Sequence, residues 1–124
     1  MDNFNYKVDK LHVEDVAISD IASSVGTPFY VYSQSSIEKN YRDFENAMSG
    51  TKCLICYAMK ANSNQAVLKI LGNLGAGMDV VSGGEYLRAK AAGIPSDRIV
   101  FSGVGKTRGE ISLAIKGGIR QFNV

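Results

Sequence analysis

Four short apolar runs recur at nearly constant intervals, starting near Cys53 (CLICYAM), Gly77 (GMDVV), Arg98 (RIVFSG) and Arg120 (RQFNV), in steps of 24, 21 and 22 residues. Between them lie short Ala/Leu-rich stretches near 64–73, 84–92 and 108–117 that read as amphipathic helices. Strands alternating with helices at this spacing predict an α/β fold built from right-handed βαβ units. Their sheet is parallel and expected to be buried on both faces, which accounts for strands that are apolar throughout. The chain has 124 residues and Val124 falls inside the fourth strand. An open sheet of this kind presents an unpaired apolar edge, and a closed (β/α)8 barrel takes roughly 250 residues. The expectation is therefore the front portion of a longer protein.

Upstream, TPFYVYS at 27–33 is a further strand candidate, followed by a helical segment at about 35–48. Its tyrosines alternate with Val31, the period of a half-exposed strand, so it is assigned to a different sheet from the repeats. Charge excludes several partners. Fourteen Lys and Arg face twelve Asp and Glu, interspersed without a basic block, so neither nucleic acid nor an anionic membrane is expected. Every apolar run is interrupted well short of the ~18 residues of a membrane span. The polar start MDNFNYK lacks the pattern of a secretory signal, and a cytoplasmic location is expected.

Cys53 and Cys56 have C-x-x-C spacing, but in a strand residues three apart point to opposite faces, so the thiols do not meet. With one histidine, His12, and no second cysteine pair, a zinc site lacks ligands, and both cysteines read as buried structural thiols. Three nucleotide and hydrolase motifs are near misses. A P-loop ending at Gly105-Lys106-Thr107 needs glycine where Val100 stands. The dinucleotide fingerprint needs it at Val80 or Arg108, and a nucleophile elbow around Ser82 needs it at Val80.

What remains is Lys60, placed where an apolar strand gives way to the Asn-rich turn of YAMKANSN. In parallel α/β folds the carboxyl ends of the strands face the functional side. A partly desolvated ammonium there suits an imine-forming lysine, and a surface lysine is the competing reading. Asp79 interrupts the second apolar strand, so it reads as a structural ion-pair partner or as an active-site carboxylate. Ser82 and Glu85 read as a capping box for the next helix.

YAMKAN at 57–62 resembles the Y-A-x-K-A-N signature of fold-type III pyridoxal-phosphate enzymes. LGAGMDVVSGGE at 74–85, AAGIP at 91–95, IVFSGVGKT at 99–107 and the closing FNV narrow the likeness to the bacterial diaminopimelate decarboxylases. The resemblance runs from about residue 27 to 124. It implies the N-terminal part of a (β/α)8 barrel of the alanine racemase-like type, truncated in the fourth strand, over residues 35–124. Residues 1–34 would contribute a strand to a separate β-domain. It implies pyridoxal 5'-phosphate as cofactor, Lys60 as the catalytic and cofactor-carrying lysine, and Ala58 and Asp79 as cofactor-binding residues. The implied reaction of the whole protein is decarboxylation of meso-2,6-diaminopimelate to L-lysine and CO2, by a homodimer with shared active sites. The phosphate loop, the ring-stacking histidine and the substrate-end residues of that family would lie beyond Val124, so the 124 residues alone are expected to be inactive. A decarboxylase of another basic amino acid and a non-catalytic cofactor-binding homologue are the alternatives.

Overall fold

The computed structural model describes residues 3–124, which fall into two compact units, Met1–Phe44 and Glu45–Val124. The first unit opens with a small antiparallel meander, β1 (Phe4–Lys7), β2 (Lys10–Val13) and β3 (Val16–Ala17), followed by helix α1 (Ile18–Val25). Phe4 and Tyr6 alternate with polar residues, as do Leu11 and Val13, and Lys7 pairs with Lys10 across a two-residue loop. Val8 and Asp9 both take positive φ there, the left-handed geometry that matches the twist of a hairpin.

The segment 27–33, expected as a strand of a separate sheet, pairs with no other strand among the described residues, and the strands of this unit are β1–β3. The bond between Thr27 and Pro28 is cis. Ser33, buried at the end of this segment, accepts from the Ser36 N–H (3.0 Å) at the start of helix α2 (Gln34–Ala47) and donates to Glu14 (2.7 Å). The Ser33 hydroxyl, and after it the Ser35 N–H, hold the Glu14 carboxyl below its ordinary range.

The second unit contains the predicted repeat. Strands β4 (Cys56–Ala58), β5 (Gly77–Val80), β6 (Ile99–Phe101) and β7 (Gln121–Phe122) form one parallel sheet in sequence order. Helices α3 (Gln65–Asn73), α4 (Gly83–Ala91) and α5 (Arg108–Lys116) connect them, close to the predicted spans. Met78, Val80, Ile99 and Phe101 are completely buried, with Leu68, Tyr86, Ala89 and Ala114 of the helices completing the core. Phe101 stacks on Phe122 with ring centroids 5.7 Å apart. At roughly 25 cal/mol per Å2 of buried apolar surface, this core is the main source of the unit's stability.

Within these 124 residues the sheet is covered on one face only. Residues alternate sides along a strand, and the row Ala58, Asp79, Val100 and Gln121 is half-buried to exposed. The helices cover only the opposite side. Cysteine burial follows the same division: Cys53 lies outside β4 and is exposed, and Cys56 is half-buried, where both were expected to be buried. β4 is an edge strand with one neighbour, so less of it is covered. The thiols are free, as their spacing in an extended segment predicts.

Candidate active site

Because the four strands are parallel and in register, their carboxyl ends lie side by side. Ala58 pairs with Asp79, Asp79 with Val100 and Val100 with Gln121, which places Ala58 and Asp79 next to each other on the open face. Lys60 follows two residues after Ala58, in the 3-10 turn Met59–Ala61 that ends β4. The sequence builds this turn from both sides. Met59 is fully buried and anchors it, and the Tyr57 hydroxyl donates to the Asn62 carbonyl (3.1 Å). The Asn62 side chain accepts from the Asn64 N–H (2.9 Å), and Asn64 in turn caps α3 by accepting from the Ala66 N–H (2.9 Å). Lys60 itself is exposed. Within these 124 residues the partial desolvation expected for it is absent, because β4 has a strand neighbour on one side only. Its amine is open to a ligand.

Among the described residues no cation stands within salt-bridge distance of Asp79. Its carboxylate is compensated by the Ser102 hydroxyl, which donates to Oδ1. Ser102 Oγ accepts from Asn123 Nδ2 (2.9 Å), and Asn123 Oδ1 accepts from Gln121 Nε2 (2.6 Å). Cys56 faces the same side, one register step back from Ala58 and opposite Gly77. Burial first, and then the charge of Asp79, push its thiol up from the ordinary value.

The capping box read at Ser82 and Glu85 forms only in part. Ser82 Oγ accepts from the Glu85 N–H (3.2 Å), but the Glu85 carboxylate accepts from the Val81 N–H (2.8 Å), one residue ahead of the cap. The reciprocal box stands at Thr107 and Glu110 instead, at the start of α5. Its T-x-x-E spacing was legible in TRGE. Glu110 also accepts from the Gly83 N–H (2.7 Å), tying the beginnings of α4 and α5 together. That backbone donor, then those of Thr107, hold the Glu110 carboxyl below its ordinary value of 4.5. Gly83 is suited to this contact, since a Cβ there would stand 3.0 Å from Glu110 Cγ.

Lys106, the lysine of the failed P-loop, is engaged by protein. Its ammonium donates to the carbonyls of Gly103 and Asn123 (2.6 Å each) and lies 5.8 Å from the Phe101 ring centroid. An open cavity of about 550 Å3 adjoins it, lined by Gly103, Val104, Ile111, Asn123 and Val124, and none of Lys60, Ala58 or Asp79 lines it. The residues linked to Asp79 that sequence reasoning missed are Ser102, Asn123 and Gln121. Nothing in their spacing marks them, because their link to Asp79 runs across three strands.

Four parallel strands in sequence order, connected by helices, are the arrangement of the β/α-barrel class, in which functional residues gather at the carboxyl ends of the strands. Comparison with known proteins makes this specific. The profile of the family described as pyridoxal-dependent decarboxylase, pyridoxal binding domain, matches residues 34–124, and the chain belongs to that family. It is 53% identical over all its residues to the diaminopimelate decarboxylase of Pseudomonas fluorescens. A solved protein from Aquifex aeolicus aligns with 98% of the chain at 46% identity and a TM-score of 0.93. The diaminopimelate decarboxylase of M. jannaschii, solved with L-lysine, aligns with 99% of it at 39% identity and a TM-score of 0.90. In each case the chain spans 30% of the relative's length. The donor set fits the family's cofactor: a primary amine in reach of an aldehyde, a side chain as small as Ala58 beside it, and a carboxylate held by a hydroxyl. No helix among the described residues is long and apolar enough to cross a membrane.

Proposed function

We propose that the full-length protein decarboxylates meso-2,6-diaminopimelate to L-lysine and CO2 with pyridoxal 5'-phosphate, and that Lys60 carries the cofactor, with Ala58 and Asp79 lining its pocket. The observation that carries this reading is the position of the YAMKAN lysine. It stands exposed, immediately beyond β4, on the turn next to the Ala58–Asp79 pair. The identity of 53% across the whole chain to a diaminopimelate decarboxylase supports the substrate. Likeness to the lysine decarboxylase of Selenomonas ruminantium is lower, at 27% identity.

When bound, the cofactor supplies an electron sink for the pair left behind as the carboxylate departs. Anchoring, room and orientation come from the chain's own residues. Lys60 offers the amine that anchors the cofactor and must yield its place to the substrate's amine, which an exposed turn position permits. Ala58 leaves room beside it, and Asp79 presents a carboxylate that accepts hydrogen bonds at a fixed orientation. The division of roles at 34/35, with residues 1–34 serving a separate β-domain, is supported by the family profile beginning at residue 34. The homodimer with shared active sites and the cytoplasmic location belong to the same reading.

Two readouts on the full-length protein test it. Borohydride reduction with pyridoxal phosphate present is expected to fix the cofactor on Lys60, seen by peptide mass. Lys60→Ala is expected to abolish both that adduct and CO2 release, a loss of at least about 10^3-fold, while the fold is retained. Wild-type turnover by the Lys60→Ala variant would sink the assignment, and turnover of lysine in place of diaminopimelate would reassign the substrate.

A further inference from the structure

Four polar side chains form a directed chain on the open face, Gln121 to Asn123 to Ser102 to Asp79. We propose that Ser102 and Asn123 are positioning residues, holding Asp79 as an oriented acceptor beside Ala58, two residues before Lys60. This rests on the assignment of Lys60 and Asp79 to the cofactor.

Every link is set by backbone. The Ser102 N–H donates to the Val80 carbonyl (2.7 Å), which locks Ser102 beside the residue that follows Asp79. The Asn123 N–H donates to the Phe101 carbonyl (2.9 Å), and the Asn123 carbonyl accepts from Lys106 (2.6 Å). Proton count then fixes direction. Asn123 Oδ1 accepts from Gln121, so its amide NH2 faces Ser102. Ser102 Oγ accepts from that amide, so its single proton is delivered to Asp79. Relief of a buried charge does not require so long a chain. One hydroxyl already donates to the Asp79 carboxylate, and Asn123 and Gln121 add no donor to it directly. What the chain supplies beyond solvation is a single orientation of the Asp79 carboxylate.

The test uses the full-length protein with pyridoxal phosphate and the variants Ser102→Ala, Ser102→Thr and Asn123→Asp. Visible circular dichroism of the bound cofactor, kcat, KM and the unfolding midpoint are measured for each. Ser102→Ala is expected to lower kcat about tenfold, the scale of one charge-assisted hydrogen bond, with KM within about twofold and an altered cofactor dichroism band. Ser102→Thr keeps the hydroxyl and is expected to recover most of both. Asn123→Asp keeps the shape but cannot donate, and is expected to reproduce the Ser102→Ala spectrum. Wild-type dichroism and kcat in Ser102→Ala, or equal impairment of Ser102→Thr, would overturn the proposal. If Ser102→Ala does not fold, the exposed isostere Asn123→Asp decides by the same criteria. A wild-type protein with no cofactor signal, or one that Lys60→Ala leaves unchanged, would instead overturn the functional reading and the positioning role with it, a failure recognisable because wild type itself shows it.

Discussion

On the helix side of the parallel sheet Met78, Val80, Ile99 and Phe101 are sealed from solvent, while on the other side Ala58, Asp79, Val100 and Gln121 form a half-open row. The two rows alternate residue by residue along the same strands, so backbone and hydrogen-bond ladder are shared and only the surroundings differ. The covered face is apolar and close-packed, and substitutions there register in stability. The other face carries a carboxylate, a hydroxyl and an amide, and in the proposed function substitutions there register in chemistry. On that proposal one residue of β5, Val80, is structural and its neighbour Asp79 functional.

The comparison is tested most visibly at Phe101. Phe101→Ala in the full-length protein is expected to cost about 3–5 kcal/mol, since it removes a fully buried ring and its stack on Phe122. Denaturant unfolding checks it, and a cost under about 1 kcal/mol would mean that the helix-covered face is not the tightly packed one. Next in size, Asp79→Asn is expected to lower kcat about 10^2-fold while shifting the unfolding free energy by less than about 1 kcal/mol. A large stability loss with kcat intact would move Asp79 to the structural side of the comparison.

The smallest effect is sought at Glu110, which belongs to neither face and ties the starts of α4 and α5. Its folded carboxyl is held below 4.5, so its ionised form favours the folded state. That contribution is complete above the ordinary value of 4.5 and fades as pH falls through the lower folded one. Glu110→Gln should therefore leave the unfolding midpoint slightly reduced at neutral pH and flatten its decline in acid. A decline unchanged from wild type would show that the Gly83 and Thr107 contacts carry no pH-linked stability.

Much of the second unit was legible because its signals are local. Apolar runs about 22 residues apart announce parallel strands, and Asn64 and Thr107 cap helices through contacts two or three residues away. Lys60 was legible as a lysine at a strand end. The meander of β1–β3 carried a readable alternation in Phe4, Tyr6, Leu11 and Val13, but its turn at Val8 and Asp9 has none of the glycine that usually marks a two-residue hairpin loop. The segment 27–33 has β-branched and aromatic residues that favour an extended chain, and it pairs with no strand among the described residues.

By itself the sequence determined the α/β class, the order of the repeats and the candidate lysine, since these depend on residue period and on spacing along one chain. Only the tertiary structure decided which face of the sheet the helices cover, that Asp79 lies beside Ala58, and that Ser102 donates to Asp79. Those outcomes depend on which strands become neighbours and at what register, and Asp79, Ser102 and Asn123, more than twenty residues apart at each step, meet only once β5, β6 and β7 have paired.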